Sequence, residues 1–262
     1  MSIPNVLSIA GSDPSGGAGI QADLKTFCAT GVYGMAAVTA LTAQNTQGVS
    51  GFVAVPPAFV TDQLASIFDD IEVAAVKIGM LANAEIIEAV ADALERYQPD
   101  HIVLDPVMVA TSGDSLINSD AIAAMKARLI PLVDVITPNI PEAEKLSRKA
   151  VLDMDGAAQG LLSLGAKAVF LKGGHLKGAM ATDVLAYHGG VRTYQAARVD
   201  TQNTHGTGCT LSSAIAAFLA KGHELEEACD KAKTYLTNAL NHADELMVGK
   251  GHGPVHHTHG WI

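Results

Sequence analysis

Thr204-His205-Gly206-Thr207-Gly208-Cys209, continuing as Thr210-Leu211-Ser212-Ser213-Ala214-Ile215, is the stretch around which the chain is organised. Gly206 and Gly208 reach backbone angles closed to other residues, so the loop can turn tightly and approach a ligand closely. Leu211, Ala214, Ile215, Phe218 and Leu219 then recur at the spacing of one helix face, and Lys221-Gly222 supplies a terminating cation and glycine. A glycine loop feeding a helix directs free N–H groups and a partial positive charge at one point, which suits an anion. Cys209 lies beside that point. A plain turn that starts a core helix would carry the same glycines.

Outward from this loop, short apolar runs alternate with helical patterns. Strands are expected at 5–9, 35–42, 74–78, 101–104, 133–137 and 167–171, with an exposed one at 49–55. Amphipathic segments separate them at 59–70, 83–97 and 119–129, and helices at 209–221 and 224–247 close the chain. Residues 182–188 and 191–197, joined through Gly189-Gly190, read as an antiparallel edge hairpin. The alternation predicts an α/β fold with a mostly parallel sheet between two helical layers, in one domain spanning 1–262. The unusual residues fall just after strands: Gly11 to Gly19, Gln44-Asn45, Gly79-Met80, Asp105-Pro106, Pro138-Asn139 and Gly173-Gly174-His175. Ligands of such sheets bind at the carboxyl ends of the strands, so these residues should converge on one edge.

Composition narrows the function classes. With 27 acidic against 17 basic residues the net charge is −10, which argues against a nucleic-acid surface. Cys28, Cys209 and Cys229 are too scattered for a disulfide framework or a metal knuckle, which suits a reducing compartment. The first residues lack the basic flank of a signal peptide, and no apolar run reaches membrane-spanning length. A cytoplasmic protein without membrane contact is expected. The tail histidines His252, His256, His257 and His259 sit in a Gly/Pro-rich segment rather than at i, i+4 on a helix, and are not expected to hold metal.

Other residues have competing readings. Gly11-Ser12-Asp13-Pro14-Ser15-Gly16-Gly17-Ala18-Gly19 is not a Walker A loop, because no Lys-Ser/Thr follows it. Asp23 shares a helix face with Ile20, Leu24, Phe27 and Cys28, and a carboxylate on a buried face needs a partner, from a ligand or from the core. Asn139 and Glu142 stand three apart at a helix start, which is also capping-box spacing. Met80 and Val107 can be core filler, and Lys172 an exposed strand-end charge.

The Gly206-Thr207-Gly208-Cys209 loop resembles the anion hole of the hydroxymethylpyrimidine (phosphate) kinases, a branch of the ribokinase-like superfamily in which cysteine replaces the usual aspartate. The similarity runs from Ile9-Ala10-Gly11-Ser12-Asp13 to Gly251-His252-Gly253-Pro254-Val255-His256-His257. It implies a ribokinase-like α/β/α sandwich that phosphorylates 4-amino-5-hydroxymethyl-2-methylpyrimidine, and its monophosphate, from ATP with Mg2+ for thiamine biosynthesis. By the resemblance, Gly206 to Cys209 bind the transferring phosphoryl and Cys209 takes the hydroxymethyl proton. Gly11, Asp23, Gln44, Met80 and Val107 line the pyrimidine pocket. Asn139, Lys172 and Thr207 contact the nucleotide, and Asp105 and Glu142 lie near the metal. A helix N-terminus lowers a thiol pKa, so Cys209 is expected to react ahead of Cys28 and Cys229. The chain departs from the resemblance at Ala110-Thr111-Ser112-Gly113, where a lid lysine is replaced by Thr111, and in a short region from Ser147 to Gly156. A pyridoxine/pyridoxal kinase and a non-catalytic vitamin- or nucleotide-binding regulator are the competing readings. A homodimer is left open.

Overall fold

Residues of the first strand, β1 (Asn5–Ala10), alternate between two buried faces: Leu7 and Ile9 enter one apolar layer and Val6 the other. The same split recurs at Val76 and Ile78 against Ala75, Leu104 against Val103, and Val169 and Leu171 against Phe170. Strands buried on both faces read as continuous apolar runs, which is the mark of a parallel sheet covered by helices. The computed structural model describes residues 2–108, 117–174, 176 and 178–261.

Among the described residues, eight strands form the main sheet. After β1 come β2 (Tyr33–Val38), β5 (Ala75–Ile78), β6 (His101–Leu104), β7 (Val135–Ile136), β8 (Ala168–Leu171), β9 (Met180–Tyr187) and β10 (Gly190–Ala197), in the order β10-β9-β8-β7-β6-β5-β1-β2. All neighbours from β2 to β8 are parallel, while β9 pairs antiparallel with both β8 and β10. The hairpin therefore forms an edge, with Tyr187 opposite Gly190 at its turn. The first layer contains α2 (Pro57–Phe68), α3 (Ala84–Tyr97), α4 (Ser119–Ala124), α5 (Ile140–Ser147) and α6 (Met154–Leu161). The second contains α1 (Gly19–Thr30), α7 (Thr207–Ala220) and α8 (Leu225–Asn241). The α/β/α sandwich with an antiparallel edge hairpin is as the sequence predicts.

Three boundaries differ from expectation. The run 35–42 is two strands: β2 ends at Val38, and the chain resumes as β3 (Ala40–Asn45), which pairs only with β4 (Gly48–Ala54) in a separate ribbon. Thr39 marks the break, its N–H bonding Ala10 O and its hydroxyl Met80 O. The strand expected at 133–137 keeps ladder pairing at two residues. The last helix stops at Asn241, and the chain turns back so that His256 N–H bonds Ala239 O.

β1 and β5 are neighbours, and the connection from β1 runs outward to β2 while that from β5 runs the opposite way to β6. A crevice opens at the carboxyl end of such a switch point. Gly11 follows β1 and Gly79-Met80 follows β5 there. The helix α7 crosses beneath β1, β5 and β6 with nine of its residues buried, from Thr210 to Leu219. Burying each leucine or isoleucine stabilises the fold by about 1.5–3 kcal/mol, so the glycine loop sits on the most firmly packed helix of that layer.

Candidate active site

Gly206 sits at φ +80°, and a Cβ there would stand 1.8 Å from Gly17 O. The two glycine loops therefore touch backbone to backbone, as only glycine allows at this position. The tail braces the same loop: His205 N–H bonds Gly253 O, and Thr210 Oγ1, which bonds Gly206 O at 2.8 Å, lies 3.0 Å from His257 Nε2. Burial drives the His257 pKa down to about 3, helped by the nearby Lys25 and histidines, so this ring is neutral. Gly206 is the N-cap of α7, and the first-turn N–H groups of Gly208 and Cys209 have no carbonyl within the helix to meet. They open into a cavity of about 620 Å³ that runs along the carboxyl edge of the sheet.

At one end of the cavity are Gly11, Gln44, Met80 and Val107. Met80 packs on Ala40 and Val107 as a small apolar cluster of its own, separate from the two main layers. Asp23 is not among the lining residues. Its carboxylate is fully buried below the cavity, where it accepts from Ser8 Oγ at 2.6 Å, Ser213 Oγ at 2.7 Å and Lys77 Nζ at 2.8 and 2.9 Å. The expectation that it bonds the ring is corrected: the core supplies its partner. Burial would strip the Lys77 proton, but Asp23 outweighs that and holds the ammonium above its ordinary range.

Midway along, Asp105 is buried and its Oδ1 accepts from Lys172 Nζ at 2.7 Å and Thr137 Oγ1 at 3.1 Å. Its other oxygen turns toward Gly208, where a Cβ would lie 3.1 Å from Asp105 Oδ2 and 3.2 Å from Lys172 Nζ. Asn139 and Glu142 also line the cavity, and they form the capping box that their spacing allows. Glu142 N–H bonds Asn139 Oδ1 at 2.9 Å, and Asn139 N–H bonds Glu142 Oε2 at 2.8 Å. Burial raises the Glu142 carboxyl to about 7 against the pull of Lys172, with Asp105 adding to the rise. Hard oxygen donors from few carboxylates suit a magnesium ion that keeps waters and takes its remaining ligands from phosphates. Among the described residues no group of three or more His, Cys, Asp or Glu side chains is arranged to hold a metal by itself.

Two expectations about the cysteines are corrected. The Cys209 pKa is not lowered but pushed up to about 11, because burial outweighs Lys77 and a backbone N–H from Gly19. Cys28 is not on the buried stripe of α1, which is Ala22, Asp23, Thr26, Phe27 and Thr30; it is exposed. The loop carrying Thr111 lies outside the described residues, as does His175.

Several cavity residues went unread in the sequence. Asp13 binds its own loop through the N–H groups of Ser15, Gly17 and Ala18, and meets His205 Nε2 at 2.8 Å. Burial alone would raise its pKa, but these bonds, that of His205 foremost, bring it to about 2. An Asx turn was legible in Asp13-Pro14-Ser15; a partner 192 residues away was not. Arg198 bonds the carbonyls of Gly174, Leu176 and Gly178, fastening the loop between β8 and β9 at the far end of the cavity. Beside it, Ala181, Val199, Leu236 and Leu240 form an apolar slot. Lys77 had a signal, a charge inside the apolar run Ala75-Val76-Lys77-Ile78.

With this geometry in view, the likenesses to known proteins are specific. The family model described as phosphomethylpyrimidine kinase matches residues 13–256. The chain is 51% identical to the hydroxymethylpyrimidine/phosphomethylpyrimidine kinase of Salmonella typhimurium, over 98% of each chain. Its fold matches the solved phosphomethylpyrimidine kinase of Clostridium difficile with a TM-score of 0.81 at 44% identity, covering 90% of this chain and 99% of that one. It also matches an ADP complex of Bacillus subtilis pyridoxal kinase with a TM-score of 0.91 at 39% identity, over all of both chains. A glycine loop ending in cysteine at a helix N-terminus, a carboxylate–lysine pair across from it and agreement over nearly the whole length lead to one assignment: the chain belongs to the phosphomethylpyrimidine kinase family.

Proposed function

We propose that the protein transfers the γ-phosphoryl of ATP to the hydroxymethyl group of 4-amino-5-hydroxymethyl-2-methylpyrimidine, and then phosphorylates the monophosphate to the pyrophosphate used in thiamine biosynthesis. The observation that carries this reading is the single cavity that joins three parts. An apolar slot between β9, β10 and α8 suits the adenine, the α7 N-terminus with Lys172 suits the phosphates, and the Gly11, Gln44, Met80 and Val107 end suits a flat polar-edged ring. We assign Gly206, Thr207, Gly208 and Cys209 to the transferring phosphoryl, Asn139, Lys172 and Thr207 to the nucleotide, and Asp105 and Glu142 to magnesium. Magnesium bound there would neutralise phosphate charge.

In this mechanism the substrate hydroxyl oxygen bonds to phosphorus as the bond to the ADP oxygen breaks, and the hydroxyl proton passes to Cys209. The N–H groups of Gly208 and Cys209 meet the charge of the transferring phosphoryl. Lys172, held by Asp105, adds a cation on the same side. Burial pushes the Cys209 thiol up to about 11, so its base form is scarce at neutral pH and turnover should depend on pH. We place Asp23 beneath the pocket rather than against the ring, and assign the polar edge of the ring to Gln44 and its flat faces to Met80 and Val107.

We also read the chain as one kinase domain of the cytoplasm, a reducing compartment that its three scattered cysteines suit. Leu41 and Val53, cross-strand partners on the β3–β4 ribbon that are 58% and 71% exposed, support a homodimer, which light scattering would measure. The fold agreement with B. subtilis pyridoxal kinase favours pyridoxal as a second substrate. One assay separates the readings: ADP release with the pyrimidine, its monophosphate and pyridoxal side by side. Turnover of both pyrimidines is expected. Turnover of pyridoxal alone would replace the reading with a pyridoxal kinase, and ATP binding without ADP release would make the protein a regulator.

A further inference from the structure

The Asp13–His205 pair lies beside Gln44, and the hydrogen atoms available there determine which way the Gln44 amide faces. One terminal atom of that amide, Nε2, is 3.4 Å from His205 Nε2, and the other, Oε1, is 3.4 Å from Thr42 Oγ1. His205 Nε2 is also 2.8 Å from Asp13 Oδ2. Asp13 is ionised, with a pKa of about 2, and a carboxylate only accepts, so His205 Nε2 carries a hydrogen. An amide nitrogen facing that ring nitrogen would set two hydrogen-bearing nitrogens against each other. At the other end, Thr42 Oγ1 spends its single hydrogen on Ser12 O at 2.8 Å, so toward Gln44 it can only accept. Turning the amide by half a turn satisfies both ends together. His205 Nε2–H then shares its hydrogen with the Gln44 carbonyl oxygen, and the Gln44 NH2 donates to Thr42 Oγ1.

We propose that Asp13 and His205, with Thr42, lock the polarity of the Gln44 amide, and so select a substrate ring whose edge offers an amine donor beside a ring-nitrogen acceptor. The inference rests on Gln44 as the ring-contacting residue. With the amide locked, its carbonyl oxygen keeps one lone pair for an exocyclic amine and its nitrogen keeps one hydrogen for a ring nitrogen. A 4-aminopyrimidine edge presents that pair. The 4-oxo analogue presents the reverse, a carbonyl oxygen beside a ring N–H, and would leave both pairs unmade. Locking is possible because the partners are themselves fixed. His205 is buried with Gly17 packed on its ring, and Asp13 is tied down by three backbone N–H groups of its own loop. His205 and Asp13 are positioning residues here, since neither needs to touch the ring.

The test compares the ratio of kcat/KM for the amino substrate to that for its 4-oxo analogue within each variant, so any loss of turnover common to both cancels. Wild type should favour the amine. His205→Leu frees the amide to turn over, and the ratio should fall by roughly tenfold to a hundredfold, mostly in KM, as two polar pairs cease to be discriminated. His205→Gln, whose amide N–H can still reach Asp13, should restore most of the ratio. Thr42→Val acts at the other end on a half-exposed side chain and should lower the ratio in the same direction even if His205→Leu does not fold. Gln44→Ala separates the two levels of argument. If that variant leaves the ratio unchanged, Gln44 does not read the ring and the underlying reading fails. If it collapses the ratio while His205→Leu and Thr42→Val keep the wild-type value, the locking proposal is overturned.

Discussion

Lys77→Met tests the buried pair beneath the active site. Lys77 and Asp23 are both 0% exposed, and four hydrogen bonds converge on the Asp23 carboxylate. Methionine fills much of the lysine stem but removes the cation, leaving a fully buried carboxylate with two serine hydroxyls as its donors. Removing one member of a buried ion pair costs about 3–5 kcal/mol, because the other charge stays desolvated. For a domain of this size each 1 kcal/mol moves Tm by roughly 2–4 °C, so Tm at pH 7.5 should fall by about 6–20 °C. Lys77→Met combined with Asp23→Asn removes the stranded charge and should recover much of the loss, with a coupling of about 1.5–3 kcal/mol. Thermal melts give the Tm change, and urea denaturation of wild type, Lys77→Met, Asp23→Asn and the double variant gives the coupling. A Tm loss below about 3 °C for the single variant, together with additive double-variant behaviour, would refute the argument that this pair is a desolvated unit.

Four other outcomes follow from the geometry. Gly208→Ala places a methyl 3.1 Å from Asp105 Oδ2, in the space assigned to phosphoryl, and should lower kcat about 100-fold with little change in Tm; a kcat within threefold would exclude that placement. Asp13, held at about 2, stabilises the fold above the ordinary carboxylate pKa and loses that contribution as pH falls from about 4 to 2, so Asp13→Asn should cost about 2 kcal/mol at pH 7 and show a flatter acid limb in pH-dependent melting. With the Cys209 pKa near 11, kcat/KM for the pyrimidine should climb about tenfold per pH unit from 7 to 9 and Cys209→Ala should lower kcat by about 10²–10⁴, whereas a limiting alkylating agent at pH 7 should label exposed Cys28 first; a flat profile would remove the thiolate as base. Glu142→Gln can keep the capping box without the charge, so a raised magnesium requirement at unchanged Tm supports a metal role, and a normal requirement leaves Glu142 as a cap.

The sequence by itself determined the layered fold and the sheet edge at which its glycine-rich and polar strand ends gather. Strands covered on both faces have to be apolar at successive positions, and helices of the outer layers have to be apolar on one side, so β1, β6, α3 and α7 are written locally. The same holds for Asn139 and Glu142, whose cap is a contact between residues three apart. What the tertiary structure decided depends on burial and on partners distant in the chain. Nothing local in 35–42 says that the chain leaves the main sheet at Thr39, since both halves carry strand-forming residues and only the ladder partner changes. Asp23 looked like a residue in need of a partner, but whether a ligand or Lys77 supplied it rested on β5 lying beside β1, where Ser8 and Lys77 come into register. The Cys209 pKa turned on the same distinction. A helix N-terminus acts locally and lowers it, while desolvation by the surrounding fold raises it, and at Cys209, half-buried beside the cavity, the desolvation is the larger effect.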